Sequence, residues 1–176
     1  MSCIGMFCHK NVLSDKRNES VLAGISSLCG ELYPLPLPSG ECPPRIDVLI
    51  INDPHESAAS ISLDMPQSSF VLINSDKRSN YFPIKRYAGN LITYGLNRKA
   101  CITASSIVDD ELGGQLQICI QRSFPTASGQ TAAVQEFPVH MHALGVDATI
   151  SLVGAMLVCG ARVWEIDEIF NKPIAG

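Results

Sequence analysis

The sequence lacks the features that mark secreted, membrane-spanning and disulfide-rich proteins. It contains no C-x-x-C pair, and its seven cysteines are too many by one to pair completely. Most of them lie within apolar runs, as buried free thiols do. No window reaches the roughly 18 apolar residues that a membrane span requires. The opening residues lack the basic start and apolar run of a signal peptide. We therefore predict a cytoplasmic protein, in a reducing compartment, with no membrane partner.

Charged residues are scarce, at 17% of the chain, and slightly acidic in balance. Lys and Arg number 13 against 17 Asp and Glu, which gives a net charge of -4. Such a chain is a poor electrostatic match for phosphate backbones, so we predict no nucleic-acid partner. Hydrophobic residues make up 46% of the 176 residues, enough for a packed core without disulfides or metals. Length and composition together predict one globular domain over residues 1–176.

The first half of the chain has the pattern of a parallel α/β fold. Four runs that are apolar on both faces predict buried strands, at Cys3 to Phe7, Ile46 to Asn52, Ser69 to Asn74 and Asn90 to Thr93. Apolar residues at helical spacing predict a helix over Val21 to Cys29, which Gly30 ends. Asn18 or Ser20 is expected to cap its start.

The segments between these elements are predicted to be loops and short helices. His9 to Ser20 is polar and is expected to be a loop. Glu31 to Pro44 holds five prolines, which excludes a helix or a central strand and predicts an extended surface loop. Short helices are expected over Glu56 to Leu63 and from Pro83.

In the second half, alternation of apolar and polar residues replaces the continuous runs. Antiparallel strands are predicted over Ala100 to Val108, Leu116 to Arg122 and Ala132 to Pro138. Turns at Gly113-Gly114 and Ser128-Gly129 would separate them. Two helices follow, an apolar one over Asp147 to Cys159 and an amphipathic one over Val163 to Phe170. The predicted fold class is α/β: three layers, with a mostly parallel sheet flanked by helices and a small antiparallel β patch.

These elements and residues resemble the central, ATP-binding domain of the Mur ligases, a P-loop or Rossmann-like fold. The family has an Asn-x-Asp after a strand, a Tyr-Gly turn after the next, a further strand, an apolar helix and a second helix. The matching segments here are Asn74-Ser75-Asp76, Tyr94-Gly95, Ala100 to Ile107, Asp147 to Gly160 and Trp164 to Phe170. The resemblance is strongest over residues 46–171. It implies an ancestry among enzymes that join amino acids to peptidoglycan precursors.

The resemblance implies candidate nucleotide-binding residues. The family places G-x-x-G-K-[ST] after its first strand, where backbone N–H groups and the lysine bind phosphates. The corresponding residues here run from Ile4 to Asn11 and contain Gly5 and Lys10, without a Gly-Lys-Ser/Thr sequence. The phosphate loop is therefore degenerate. Gly5, Lys10, Asn74 and Asp76 are the residues that the resemblance assigns to a cofactor.

Metal-binding candidates come from two places. The family's Mg²⁺-holding glutamate implies Asp53 or Glu56, and a turn cap is the alternative role for either. His140 and His142 form an H-x-H pair whose imidazoles would share one face of a strand. Two ligands do not complete a metal site, and histidines at the entry to a helix are the alternative. The family's His-Asn pair before the long helix also falls at His140 or His142, with Asp147 near the expected asparagine.

The resemblance leaves two functions open. A core without an intact phosphate loop, and without the family's N-terminal substrate and C-terminal lid domains, implies a non-catalytic binding or assembly module with no cofactor. Its partner would be a second copy of itself or another Mur-type ligase. Apolar surfaces that the missing domains would bury must then be buried against another chain. The alternative is an ATP- and Mg²⁺-using acid–amino-acid ligase with an altered phosphate loop.

Overall fold

The structure, a computed structural model, describes residues 2–7, 11–35, 45–52, 65–77, 90–109 and 114–171. The strands in these ranges are β1 (Ser2–Phe7), β2 (Gly30–Leu35), β3 (Val48–Ile51), β4 (Phe70–Asn74), β5 (Asn90–Tyr94), β6 (Ile102–Val108), β7 (Gln115–Ile120), β8 (Phe124–Pro125), β9 (Thr131–Ala132) and β10 (Gln135–His140). The helices are α1 (Asn11–Ser14), α2 (Glu19–Cys29), α3 (Val146–Cys159) and α4 (Val163–Phe170), and a 3₁₀ turn, Lys16–Asn18, precedes α2.

Eight strands form one sheet in the order β10-β7-β6-β5-β4-β3-β1-β2, and β8 pairs with β9 in a separate hairpin. Neighbouring strands from β2 across to β6 are parallel. β7 is antiparallel to both β6 and β10. The predicted class, an α/β fold with a mostly parallel sheet, flanking helices and an antiparallel patch, is confirmed.

The central parallel strands are buried on both faces, as their continuous apolar sequences predict. Side chains alternate between faces along a strand, so each of these strands contributes to two clusters. The larger cluster lies under the helices and takes in Ile50 and Leu72, and the smaller one on the opposite face takes in Ile51 and Ile73. A strand that is buried on both faces has an unbroken apolar sequence. The central parallel strands could therefore be predicted from the sequence.

Helices α2, α3 and α4 cover one face of the sheet. Residues 148–158 of α3 are all buried, which makes it the central helix of that layer. Gly154 of α3 lies so close to the sheet that an added Cβ would stand 2.7 Å from Leu72 of β4 and 3.0 Å from Ile102 of β6. No helix in the described part of the chain is long and apolar enough to cross a bilayer.

Three details of the predicted elements were wrong. Of the loop predicted over Glu31 to Pro44, residues Glu31 to Leu35 belong instead to the edge strand β2, whose Pro34 lies opposite Met6 of β1. An edge strand tolerates proline because one side of it needs no ladder N–H. The segment before α2 is not a simple loop, since it contains α1 and the 3₁₀ turn. The strand predicted at Ala132 to Pro138 is divided between β9 and β10.

Other predicted details hold, and some lie outside the described residues. The N–H of Gly30 bonds the carbonyl of Ser26 and ends α2, and Gly129 forms the turn between β8 and β9 with φ of +78°. Asn18 occupies the N-cap position of α2, but its side chain makes no capping bond there. The short helices predicted over Glu56 to Leu63 and from Pro83 lie outside the described residues.

Candidate functional site

The parallel strands place a candidate site at their carboxyl edge. Their order, β2-β1-β3-β4-β5, reverses direction between β1 and β3, and doubly wound sheets bind ligands in the crevice outside such a switch point. Three polar residues end or follow the strands at this edge: Asn52 after β3, Asn74 at the end of β4 and Asp76 in the turn beyond it. The N-terminus of α3 reaches the same edge, since Asp147 of its first turn contacts Lys77.

The two asparagines join the ends of β3 and β4. Asn74 is fully buried, and its Nδ2 donates a hydrogen bond of 3.2 Å to Oδ1 of Asn52, which is 6% exposed. Oδ1 of Asn74 accepts a bond of 3.0 Å from the backbone N–H of Asp76, which forms a side-chain-stabilised turn. The buried amides are thereby hydrogen-bonded, as burial of a polar group requires.

Asp76 organises the loop that follows β5. Its carboxylate accepts hydrogen bonds from the backbone N–H groups of Leu96 at 2.6 Å and Asn97 at 3.1 Å, and from Nδ2 of Asn97 at 2.6 Å. Gly95 makes room for this carboxylate, because an added Cβ would stand 2.6 Å from Oδ2 of Asp76. The backbone of Gly95 also has φ of +143°, which L side chains rarely adopt. The Asp76 turn and the Tyr94-Gly95 turn are therefore one hydrogen-bonded unit.

Lys77 brings a positive charge to this edge, in the turn after β4. Its ammonium lies 3.3 Å from Oδ2 of Asp147 and donates a bond of 3.4 Å to Oδ1 of Asn52. Both charged side chains are about one-third exposed, at 33% and 35%. Asp147 lies in the first turn of α3, where the helix dipole favours a negative charge. The pair thus ties the start of the central helix to the end of β4.

Among the nucleotide-binding candidates, the described residues are Gly5, Asn74 and Asp76. Gly5 lies inside β1, opposite Leu49 of β3, and not in a loop. An added Cβ would stand 2.8 Å from the side chain of Leu35, so close packing accounts for the glycine. Lys10 lies outside the described residues. A cofactor role for these four residues stays a prediction.

The histidine pair lies at the end of β10. The two imidazole centroids are 5.9 Å apart, and a ring nitrogen of His142, Nε2, lies 2.6 Å from the carbonyl oxygen of Phe170 on α4. His142 has φ of 52°, in the left-handed region. In the described ranges, no three His, Cys, Asp or Glu side chains gather as a metal site would require. Asp53 and Glu56 lie outside those ranges, and metal binding by any of the four residues stays a prediction.

A cavity of about 710 Å³ lies away from this edge, between the β8–β9 hairpin and α4. Its walls include Phe137, Leu157 and Trp164, with Arg162 and Asp167 as the charged groups. It contains none of the residues that sequence reasoning selected. Of the predicted site residues, Asn74 and Asp76 lie together at the polar sheet edge, whereas Gly5 lies within β1 and the histidine pair lies at the end of β10.

The fold is that of the Mur ligases. A murein peptide ligase from Psychrobacter arcticus matches 99% of the chain at a TM-score of 0.65 and 10% identity. MurF from Acinetobacter baumannii matches 100% of the chain at a TM-score of 0.62 and 12% identity. A UDP-N-acetylmuramoyl-L-alanyl-D-glutamate–2,6-diaminopimelate ligase matches 99% of it at 0.59 and 13%. No protein-family model and no curated protein sequence matches the chain.

The chain spans about half the length of these Mur ligases, 46% to 47% of each. At such low identities the likeness establishes the fold alone. Sequence reasoning assigned Asn74 and Asp76 to the site but did not select Asn52, and it favoured an exposed surface position for Lys77, which the structure pairs with Asp147. The signal was present, because polar residues end or follow β3 and β4, and parallel strands bring such residues to one edge.

Proposed function

We propose that this chain is a non-catalytic, Mur-ligase-like binding or assembly module, related to the ligases that act on peptidoglycan precursors. It would work in the cytoplasm without a nucleotide or metal cofactor. One observation carries the proposal: the sequence that follows β1 at the switch point. The pairing of the charged groups at the sheet edge adds to it.

The residues after β1 lack the chemistry of a phosphate loop. β1 ends at Phe7, and the chain continues Cys8-His9-Lys10-Asn11. Phosphate loops use glycines so that backbone N–H groups can approach the phosphates, a lysine to neutralise them and a hydroxyl to hold Mg²⁺. These four residues contain no glycine and no Ser or Thr. Lys10 would therefore bind a triphosphate without the glycine N–H groups and the hydroxyl that a phosphate loop provides.

Lys77, which brings a positive charge to the sheet edge, already has an anionic partner. Lys77 pairs with Asp147 and donates to Asn52, and Asp76 is occupied by the loop after β5. A nucleotide phosphate at this edge would compete with the Asp147 carboxylate for the lysine. The arrangement supports a structural use of the residues that the family resemblance assigns to a cofactor.

A thermal titration tests the proposal. We expect the melting temperature to stay constant as MgATP is raised to millimolar concentrations. A ligand present at 100 times its dissociation constant adds about 2.7 kcal/mol to the free energy of unfolding, which a melting curve resolves. The proposal fails if the melting temperature rises with MgATP and Lys10→Ala abolishes the rise. Lys99→Ala, which removes an exposed lysine of the β5–β6 loop, is the control.

A second function, an ATP-using ligase with an altered phosphate loop, is favoured by the polar residues at the carboxyl edge of β3 and β4. Asn52, Asn74 and Lys77 lie where doubly wound sheets bind ligands. The same titration separates the two functions, since a ligase must bind MgATP. For a ligase we would also expect release of inorganic phosphate when an acid and an amino acid are supplied together.

A binding module needs a partner, and we propose self-association or pairing with a Mur-type ligase. Large exposed apolar side chains support this: Leu91 and Leu96 are each 48% exposed and Val108 is 58% exposed. Light scattering over a range of concentrations gives the test. We expect a mass that rises above one chain, and a Val108→Asp variant that does so less. A chain that remains monomeric at every concentration, and does not co-elute with a Mur-type ligase, would contradict the assembly role.

A further inference from the structure

The cavity of about 710 Å³ lies at the carboxyl end of α3, between the β8–β9 hairpin and the start of α4. Its apolar lining includes Leu157 of α3 and Phe137 of β10, which are 3% and 5% exposed. Small-molecule sites are concave, mostly apolar and about 300–1,000 Å³ in volume. The cavity therefore has the size and the lining of a small-molecule site, and the polar residues at the carboxyl edge of β3 and β4 form no part of it.

Hydrogen bonds to neighbouring elements hold both walls of this cavity in place. In the hairpin, the N–H of Ala127 donates to the carbonyl of Val158 near the end of α3, at 2.7 Å. On the other side, Asn171 ties α4 to β10. Its Oδ1 accepts from the N–H of His140 at 2.9 Å, and its Nδ2 donates to the carbonyl of Pro138 at 3.3 Å. Because separate bonds hold the two walls, the cavity is preformed and a ligand would bind without first ordering the chain.

Trp164, the only tryptophan of the chain, lines this cavity and is 55% exposed. It lies in the first turn of α4, whose buried side chains are Ile166 and Phe170, so the indole is not among the groups that anchor the helix. An exposed indole at the wall of an apolar cavity offers a ring against which a second ring can stack, in an offset or edge-to-face arrangement. The wall therefore suits a planar aromatic ligand better than an aliphatic one.

Arg162 gives the cavity an available positive charge. In the part of the chain that the structure describes, its guanidinium forms no ion pair. The carboxylate that also lines the cavity, Asp167, lies about 7.5 Å further along the axis of α4. It is hydrogen-bonded to Nδ2 of Asn171 at 2.6 Å. A guanidinium binds a carboxylate through two parallel N–H···O bonds, so the available charge in the cavity suits an anion.

We propose that this cavity binds a small aromatic carboxylate, a planar ring system that carries one negative charge. The ring would stack on the indole of Trp164 and pack against Phe137 and Leu157. The carboxylate would pair with the guanidinium of Arg162. An aliphatic acid lacks the stacking and a neutral aromatic molecule lacks the ion pair, so both should bind more weakly than the aromatic acid.

This aromatic-acid site stands apart from the proposed function, because neither a nucleotide nor a partner chain enters it. The residues that would bind the ligand come from β10, the end of α3 and the start of α4. The residues after β1 and the polar edge, on which the nucleotide reading depends, do not line the cavity. Binding of an aromatic acid would therefore leave the response of the chain to MgATP unchanged.

Nuclear magnetic resonance on the full chain, labelled with ¹⁵N, tests the inference, because the single tryptophan gives one indole N–H signal that reports on the cavity wall. The probe is naphthalene-2-carboxylate, and it is compared with neutral naphthalene-2-carboxamide and with non-aromatic cyclohexanecarboxylate. We expect the indole signal of Trp164 to move saturably with the probe. The dissociation constants of both comparison compounds should be about tenfold higher. An indole signal that does not move at millimolar probe, or equal affinity for the carboxamide, would overturn the inference.

Two variants separate the contributions of charge and ring, and both change exposed side chains, so neither should unfold the chain. Arg162→Gln should weaken binding of the carboxylate about tenfold and leave the affinity for the carboxamide unchanged. Trp164→Ala should weaken both compounds, with the backbone N–H signal of Gly160 replacing the lost indole signal. Arg122→Gln, at an exposed arginine after β7, is the matched control and should bind as the wild type does. Wild-type affinity for the carboxylate in Arg162→Gln would contradict the site.

Discussion

Asp76 holds the loop after β5 through three hydrogen bonds to one carboxylate. Asp76→Ala should lower the free energy of unfolding by about 1–2 kcal/mol, because bonds to a charged group contribute about 1.5–3 kcal/mol and this group is exposed to solvent. Asp76→Asn keeps one acceptor oxygen and should lose less. Urea unfolding measures both variants. Asp109→Ala removes the same charge at another exposed site and should be near neutral; an equal loss there would point to net charge instead.

Asn18 joins two segments that are far apart in sequence. Its side chain is fully buried, with Nδ2 donating 3.0 Å to the carbonyl of Val12 and Oδ1 accepting 3.1 Å from the N–H of Ala143. Asn18→Ala leaves both backbone groups without this partner and should cost about 2–4 kcal/mol of stability. Thermal unfolding gives the measurement, with the exposed Ser20→Ala as control. A loss below about 1 kcal/mol would mean that water replaces the amide.

For single residues, the sequence predicts which of them lie at strand ends better than it predicts which side chains contact one another. Asn74, Asp76 and Tyr94-Gly95 were placed at strand ends because the apolar runs stop there. The bond from Asp76 to Asn97 was not predictable, because it joins residues 21 apart whose meeting depends on the register of β4 against β5.

Strand β2 shows that a sequence pattern can fail to identify a strand at the edge of a sheet. The prolines of Glu31 to Pro44 excluded a central strand, but Gly30–Leu35, which contains Pro34, pairs in register with β1 at the edge of the sheet. Sequence alone cannot distinguish an extended loop from an edge strand, because both tolerate missing N–H donors. Central strands such as β3 and β4 are the opposite case, since burial on both faces leaves a continuous apolar sequence.

The link between α2 and β2 depends on Gly30. Its φ is +122°, and an added Cβ would stand 1.9 Å from the backbone oxygen of Ser2. Gly30→Ala should cost about 3 kcal/mol or more, because backbone strain adds to a clash that no side chain can relieve. Gly129→Ala is the matched control, with φ of +78° and nothing within 4 Å, and should cost about 1 kcal/mol. Chemical denaturation compares them; equal losses would show that conformation alone matters.

The two halves of the sheet are joined by a short contact. β5 and β6 are in register only at Tyr94 and Ile102, with flanking bonds from Cys101 to Thr93 at 2.9 Å and from Gly95 to Ile102 at 3.1 Å. Helix α3 packs across this junction, since Gly154 meets both Leu72 and Ile102. The apolar length of α3 was predictable, but its position over the junction was not. Because α3 packs against both the parallel and the antiparallel half of the sheet, we expect the two halves to unfold cooperatively.

This role of α3 predicts how the whole molecule responds to Gly154→Ala. Alanine adds about 1 kcal/mol of helix propensity, but its Cβ would stand 2.7 Å from Leu72 and 3.0 Å from Ile102, both fully buried. Overpacking costs about 1–3 kcal/mol, so we expect a net loss of stability. Gly24→Ala in α2 is the matched control, since its Cβ meets only the half-buried Ile169, at 3.1 Å, and the change should be neutral or stabilising.

Hydrogen exchange locates the effect of Gly154→Ala. If α3 couples the two halves, amides of β3 and β4 in the parallel half and amides of β7 and β10 in the antiparallel half should lose protection together. Moving the helix away from the junction would weaken its packing against both halves. A Gly154→Ala variant whose exchange quickens in only one half would show that β5 and β6 alone carry the coupling. The Gly24→Ala control should leave protection in both halves as it is in the wild type, since α2 packs away from the β5–β6 junction.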